Sequence, residues 1–522
     1  MFMAQVPRIL WADDEIDLLR PHILFLESKG YSVASVSNGA DALAKVKTER
    51  FDVVLLDEQM PGMGGLEALI EIGRVVPDLP VVMITKSEEE RIMEEALGNR
   101  ISDYLTKPVN PSQVLLTCKR ILERSRFQSE KVSQNYLQSF NQITSALSDR
   151  LDVAEWIDLY RKLVRFDLDL GGDDSVRQIL VDQYKEANRI FGRFVEDHYE
   201  GWIADSGKSA RDRPVLSHEV VPTAVFPLLD RNRPVVFFVI DCMRYDQWLM
   251  FEPLLYPLYD IDTSFHYSIL PTSTPYSRNA IFSGLLPRDL ARIHPKLWAE
   301  GEEDEYSRNR DEEHFLTELL ERHPKSVKLR YDKLVGSNDG REFAGSVHEL
   351  KQFDLSAVVV NFVDILAHTR SDSAVLKEIA PDERAYRALT RTWFEHSWLY
   401  QALQDLAKDD VTLVITTDHG AVRSLHPTKV IGDRQTSTAL RYKYGRNLKC
   451  DERHAILVKN PASYGLPDGG VNTNYIIAKE DYYFVYPTNY NQYVNRYRDT
   501  LQHGGASLEE VILPIVTLKP RR

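Results

Sequence analysis

Three apolar runs in the second half of the chain lead into carboxylates: PVVFFVIDCMRYD into Asp241, LSAVVVNFVDILAHTR into Asp364 and VTLVITTDHGAV into Asp418. An imidazole follows two of them, His368 four residues after Asp364 and His419 directly after Asp418, and QHGGASLEE adds His503 on a glycine-rich turn. Each has an ordinary explanation when taken singly. A lone histidine is usually a hydrogen-bonded core or surface residue, and Asp364 with His368 can form a local helical ion pair. As a set, three acids and three imidazoles without a cysteine suit Zn²⁺ or Mn²⁺, and six protein donors are too many for one open ion. The set predicts two metals, which act on phosphate esters by gripping the attacking and the leaving oxygen. The hydroxyl such a site needs is offered by Thr272, Ser273 and Thr274 in LPTSTPYSRNAIFSGLLP, a proline-flanked turn leading into a predicted helix. A helix N-terminus and a metal would both favour its ionised form.

A second set of oxygen donors lies near the start of the chain: Asp13 and Asp14 in ADDE, Asp57 after DVVLL, Thr85 at the end of PVVMIT, and Lys107 in TKPVN. Carboxylates gathered at one sheet edge repel one another unless a cation neutralises them, and all-oxygen donors favour Mg²⁺. With a lysine and a hydroxyl placed for phosphoryl oxygens, such a group can accept a phosphoryl transfer.

The elements that must position these residues follow from hydrophobic periodicity. The first ~120 residues alternate strand-like and helix-like segments, which predicts a doubly wound α/β sheet. Helical spacing then takes over. Tyr136, Leu137, Phe140, Ile143, Ala146 and Leu147 form one stripe. Val176, Ile179, Leu180, Tyr184, Ala187, Ile190, Phe191 and Phe194 form another. RLDVAEWIDLYRKLVRFDLDLGGDD between them reads as a helix stopping at Gly171 and Gly172, so a small helical bundle is expected. ADSGKSARDRP has the composition of a linker, and the later strand-like runs predict a second, larger α/β sheet. The expected domains are 1–122, 123–205 and 206–522.

The chain's 522 residues exceed one core, and 43% hydrophobic with 27% charged residues is ordinary globular composition. A formal net charge of -14 argues against bulk electrostatic binding to a nucleic-acid backbone. Cys118, Cys242 and Cys450 have no paired spacing, so a disulfide framework is not expected and a reducing cytosol fits. No apolar run approaches the ~18 residues of a membrane span, and a cytoplasmic protein is expected.

On ADDE, LLDEQMPGMGG, MIT and TKPVN in order, residues 1–122 resemble a response-regulator receiver domain. The resemblance implies Asp57 as phosphoacceptor and Mg²⁺ on Asp13, Asp14, Asp57 and the Gln59 carbonyl. It also implies Thr85, Tyr104 and Lys107 as switch residues. Lys86 stands where the family carries a small residue, which implies altered access to Asp57. VIDCMRYDQW, TTDHG and HGGASLEE make residues 206–522 similar to the PglZ branch of the alkaline phosphatase superfamily. The superfamily's nucleotide pyrophosphatase/phosphodiesterases carry a P-[ST]-x-T turn ten residues before a small-Gly pair, and Pro271-Thr272-Ser273-Thr274 before Ser283-Gly284 fits that frame. The resemblance implies Thr274 as nucleophile with Thr272 in reserve. It implies one metal on Asp241, Thr274, Asp418 and His419, and another on Asp364, His368 and His503. Arg244 and Arg278 are expected to meet substrate phosphate.

The order of the three segments resembles the PorX-type response regulators tied to type IX secretion and gliding. That implies a sensor histidine kinase as phosphodonor, a homodimer on phosphorylation, and a sigma factor as transcriptional partner. No helix-turn-helix is evident after residue 122, which disfavours direct operator reading. A sulfatase is disfavoured because it needs a modifiable Cys or Ser. The expected activity is a two-metal phosphodiesterase acting on nucleotides or oligonucleotides. The alternatives are a phosphomonoesterase and a non-catalytic, metal-stabilised docking module.

Overall fold

The computed structural model describes residues 6–76, 79–86, 101–170, 174–204, 213–229, 233–300, 309–322, 324, 326–432, 439–468, 470 and 472–521. The chain divides into two compact units, Met1–Tyr136 with Leu170–Asp173, and Leu137–Asp169 with Asp174–Arg522.

The first unit holds five parallel strands, β1 (Arg8–Ala12), β2 (Ser32–Val36), β3 (Val53–Asp57), β4 (Val81–Thr85) and β5 (Asp103–Thr106), in the order β2-β1-β3-β4-β5. Alternate side chains of the central strands feed two separate cores. Leu10, Ala12, Val54, Leu56 and Met83 enter one, and Ile9, Trp11, Val53, Leu55, Val82 and Ile84 the other. Burial on both faces is why these strands read as unbroken apolar runs rather than alternating ones. It also brings the ends of β1 and β3 to the same sheet edge, because Ala12 pairs with Leu56.

In the second unit a six-stranded mixed sheet runs in the order β7-β18-β10-β6-β9-β8. Its strands are β6 (Val235–Ile240), β7 (Tyr259–Tyr267), β8 (Leu329–Leu334), β9 (Leu355–Val360), β10 (Thr412–Thr416) and β18 (Ile512–Pro520). β8, β9, β6 and β10 are mutually parallel, while β18 lies antiparallel to both β10 and β7. Every residue of β6, β9 and β10 is buried. Smaller ladders complete the unit: β11 (Val422–Ser424) with β17 (Thr500–Gln502), β12 (His426–Lys429) with β16 (Tyr482–Val485), and β13 (Tyr442–Arg446) with β15 (Thr473–Ala478) and β14 (Ala455–Val458).

Helices Pro111–Ser148, Val153–Asp169 and Asp174–Ala204 supply the helical middle. The latter two pack on the larger sheet domain through aromatic contacts, Tyr160 on Tyr245 at 6.0 Å, Phe191 on Tyr267 at 6.0 Å and Trp202 on Tyr267 at 5.6 Å between ring centroids. The expected stripes need two corrections. Leu137 and Ile179 are exposed, whereas Ile143, Leu147, Leu180, Ala187 and Phe191 are buried. The buried stripe continues through Val195, Tyr199 and Trp202, which the sequence reading left out. The expected helix stop at Gly171 and Gly172 and most of the expected linker lie outside the described residues. No described helix is long and apolar enough to cross a membrane.

Candidate metal centres

Strand order is what assembles the acids of the second unit. β9, β6 and β10 are neighbours in parallel register, Val360 opposite Ile240 and Val239 opposite Thr416. Their carboxyl ends therefore deliver Asp364, Asp241 and Asp418 to one crevice, the usual ligand position in an open α/β sheet. Asp364 sits in the first turn of helix Phe362–Asp372, which places His368 on the same face with Nε2 3.3 Å from Asp364 Oδ1. The β11–β17 ladder, with Val422 opposite Gln502, returns the chain so that His503 stacks on His419 at 4.2 Å between ring centroids.

Two donor groups result, Asp241 with Asp418 and His419, and Asp364 with His368 and His503. Within each, ligand atoms lie within 4.8 Å of one another. In the first group each side chain is oriented by a second contact. Arg278 Nη1 donates to Asp241 Oδ2 at 2.6 Å, and the backbone N–H groups of Cys242 and His419 donate to Asp418 Oδ1 at 3.4 and 3.1 Å. The other oxygens, Asp241 Oδ1 and Asp418 Oδ2, are buried without a hydrogen-bond partner. His419 Nδ1 lies 3.1 Å from the Gly420 carbonyl oxygen and must be the protonated nitrogen there. That leaves the Nε2 lone pair facing Thr274 Oγ1 at 2.9 Å, Asp241 Oδ1 at 3.6 Å and Asp418 Oδ2 at 3.7 Å.

These spacings suit a cation. Zinc bonds of ~2.0–2.2 Å imply tetrahedral ligand edges of ~3.3–3.6 Å. The electrostatics agree. Burial, then the charge of Asp418, raises the Asp241 carboxyl to about 7, and burial raises Asp418 to about 6. Burial would raise Asp364 too, but His368, His503 and His419 outweigh it and hold that carboxyl at about 2. Packing unpaired carboxylate oxygens in a dry pocket is costly unless a cation or a proton is shared among them. The residues present fit a pair of divalent ions.

Thr274 opens helix Thr274–Ser283, with Ser273 as the N-cap residue. Thr272 is differently employed: its buried hydroxyl donates to the Gly505 carbonyl at 2.7 Å and accepts from Gly504 N–H at 3.2 Å. It thus clasps the turn that carries His503. Glu510 braces the same turn by accepting from the N–H groups of Gly505 and Ser507 at 2.8 and 3.1 Å, and Asn188 of the helical middle accepts from Leu508 N–H at 2.7 Å. Ser507-x-x-Glu510 has the capping-box spacing, a signal the sequence carried for this brace. Gly420 is required by close approach, since a Cβ there would meet the Glu509 carbonyl oxygen at 2.0 Å.

A cleft of about 370 Å³, counted out to its open mouth, is lined by Asp241, Thr274, Arg278, Asn309, Lys333, Asn361, Asp364, His368 and His503. Arg278 is in the lining, but Glu312 accepts from its Nε at 2.5 Å while Asp241 holds Nη1. Lys333 Nζ lies 3.2 Å from the same Glu312. Arg244, expected to meet substrate, lies outside the lining: it forks onto Asp246 at 2.9 and 2.8 Å and pairs with Glu383 at 2.6 Å. Glu312, Asn309 and Lys333 carried no sequence signal. Asn361 did, as the residue directly after β9.

In the first unit Asp13, Asp14 and Asp57 form a further donor group. Asp13 and Asp57 are buried, Asp14 and Gln59 are exposed, and Thr85 is buried at the end of β4 with Tyr104 on the neighbouring β5. Lys107 Nζ bridges Asp13 Oδ2 at 3.0 Å and Asp57 Oδ1 at 2.9 Å. Burial raises the Asp57 carboxyl to about 6 although Lys107 pulls it down. The arrangement is typical of an Mg²⁺ site.

Comparison with known families matches residues 9–119 to the response regulator receiver domain, 126–203 to the PorX response regulator linker domain, and 220–518 to the BREX system PglZ alkaline phosphatase-like domain. The last alone covers more than half of the chain. Among curated relatives, the transcriptional regulatory protein CpxR homolog of Haemophilus influenzae is 37% identical over 26% of this chain and 60% of its own length. ResD of Bacillus subtilis is 34% identical over 23% and 49%. RpfG of Xanthomonas campestris, a cyclic di-GMP phosphodiesterase response regulator, is 31% identical over 27% and 38%. The chain thus spans about half to three-fifths of the length of the first curated relatives it matches. Among solved structures, a CheY-like receiver from Methanospirillum hungatei matches with 31% identity and a TM-score of 0.22 over 23% of this chain and 96% of that one. Vibrio cholerae CheY4 matches with 32% identity and a TM-score of 0.21 over 22% and 99%.

Proposed function

The chain belongs to the PorX-type response regulators, with a receiver domain, a PorX linker domain and a PglZ alkaline phosphatase-like domain in that order, and from that membership we propose that its output is a two-metal phosphodiesterase acting on nucleotides or oligonucleotides. The receiver implies phosphorylation by a histidine kinase. The buried acid and histidine groups of the PglZ-like domain are consistent with a metal-dependent hydrolase.

The observation that carries the reading is Thr274 Oγ1 standing 2.9 Å from His419 Nε2, beside the partnerless oxygens of Asp241 and Asp418. Asp241, Asp418, His419 and Thr274 would hold one Zn²⁺ or Mn²⁺, and Asp364, His368 and His503 the other. Bound there, such ions supply Lewis acidity to phosphoryl oxygens and lower the pKa of an adjacent hydroxyl. Thr274 Oγ1 attacks phosphorus as the bond to one ester oxygen breaks, the threonine proton leaving with that group as the alcohol; water then cleaves the resulting threonyl phosphodiester, releasing a phosphomonoester and restoring the hydroxyl. Arg278 keeps Asp241 Oδ2 occupied and so aims Oδ1 at the centre.

Charge favours a diester over a monoester. Among the described residues the cleft's side-chain cations, Arg278 and Lys333, already share Glu312, and beyond the metals a monoanionic diester demands less positive charge than a dianionic monoester. Asp57 with Asp13, Asp14 and Gln59 would hold Mg²⁺ for phosphorylation, with Thr85, Tyr104 and Lys107 passing on the change. Family membership further supports a homodimer on phosphorylation, a sigma-factor partner and control of type IX secretion. The test is hydrolysis of bis(p-nitrophenyl) phosphate and a dinucleotide by zinc- or manganese-loaded chain, against p-nitrophenyl phosphate. Turnover of the diesters is expected. Monoester activity alone would make the protein a phosphomonoesterase, and no turnover of any ester would leave a metal-stabilised docking module.

A further inference from the structure

A fourth donor cluster lies outside the cleft lining. His294 follows helix Pro287–Ile293 as its C-cap residue, while His314 and Glu318 sit four residues apart on helix Glu312–Glu321. One donor atom of each lies within 4.8 Å of the other two. Glu318 divides its carboxylate between the imidazoles, Oε2 2.9 Å from His294 Nε2 and Oε1 3.3 Å from His314 Nε2. The rings meet edge to face, with centroids 5.7 Å apart and planes at 79°, so they approach the carboxylate from two directions.

We propose that His294, His314 and Glu318 form a peripheral transition-metal site whose preferred occupant is Zn²⁺. Two imidazoles and one carboxylate are a donor set that tetrahedral zinc takes with water in the fourth position. Two nitrogen donors disfavour Mg²⁺ and Ca²⁺, which prefer oxygen throughout. The 2.9 and 3.3 Å separations run to the two different oxygens of Glu318, and with one donor atom of each residue within 4.8 Å of the other two, small side-chain rotations bring the three to tetrahedral edges of ~3.3–3.6 Å. Glu318 and His314 share a helical face by their spacing, so only His294 has to be brought from another element. Side-chain exposures of 14% for His294, 37% for Glu318 and 52% for His314 leave a path for the ion to enter.

The ion would tie the segment ending in His294 to helix Glu312–Glu321. The first residue of that helix, Glu312, accepts from Arg278, which in turn grips Asp241. Its role is structural, steadying the far end of the helix that anchors Arg278. The proposal is independent of whether the cleft hydrolyses anything.

The test uses the full-length chain, stripped with chelator, dialysed against Zn²⁺ and measured for metal by mass spectrometry. The double variant His314→Ala, Glu318→Gln is expected to lose one zinc equivalent relative to wild type. The double variant Asp241→Asn, Asp418→Asn is expected to keep that equivalent and still to melt higher with Zn²⁺ than without. Adding His314→Ala and Glu318→Gln to it should shrink the zinc-dependent rise. Should the first variant fold poorly, His314→Gln alone, at a half-exposed position, gives the same readout. Unchanged zinc content in the His314 variants, or an unchanged zinc-dependent rise on adding them, reduces the cluster to an ordinary ion pair and overturns the proposal.

Discussion

Thr272 and Thr274 stand two residues apart, and their hydroxyls make different contacts. Thr274→Val preserves shape and removes one side-chain hydrogen bond, to His419 Nε2. The net stability cost of one such bond is about 1 kcal/mol. If Thr274 is the nucleophile, turnover of bis(p-nitrophenyl) phosphate should fall by ~10³-fold or more while zinc content, measured at saturating Zn²⁺, stays at the wild-type value on the remaining donors Asp241, Asp418 and His419. Thr272→Val removes a donor from the Gly505 carbonyl and an acceptor from Gly504 N–H, both at a fully buried hydroxyl. Leaving both backbone groups unsatisfied costs roughly 2–4 kcal/mol and loosens the turn bearing His503. That variant should melt at lower temperature, bind zinc more weakly and recover turnover as zinc is raised. Melting curves, metal content and a zinc titration of the rate separate the two. The reasoning is refuted if Thr274→Val turns over within tenfold of wild type, or if Thr272→Val is inactive with its full zinc complement.

Beryllofluoride should shift the wild-type chain from monomer to dimer by light scattering and leave Asp57→Ala unchanged; no shift in wild type counts against control by dimerisation. Glu509 is a partly buried acid whose carboxyl is raised to about 7, chiefly by desolvation. Its folded form retains a proton that the unfolded form loses near pH 4.5, so its contribution to stability declines as pH rises from about 4.5 to 7 and is flat above. Glu509→Gln should therefore gain up to roughly 3 kcal/mol over wild type at pH 8 and little at pH 5, measured by denaturant unfolding at both values. An equal effect at the two pH values would contradict it.

Much of this architecture was legible in the sequence because burial leaves a pattern. β6 is an unbroken apolar run and β9 and β10 are nearly so, since both faces are covered, and the first polar residues after each run fall on the sheet edge. Their adjacency was not legible, because strand order depends on crossovers that no local pattern records. Arg244 shows the same limit: its place just after β6 suggested the cleft, but Asp246 two residues on captures its fork. Glu312 was hidden in an acid-rich stretch, with Arg278 34 residues away as the partner that gives it meaning. The helical stripes placed Leu137 and Ile179 inward because periodicity marks an apolar arc without telling which edge of it stays exposed.

X-ray data collected at the zinc absorption edge from crystals grown with Zn²⁺ test the central claim most directly. Anomalous difference density is predicted at two positions in the cleft, one among Asp241, Asp418, His419 and Thr274 and the other among Asp364, His368 and His503. Zinc-saturated crystals with no anomalous density at either position would contradict it.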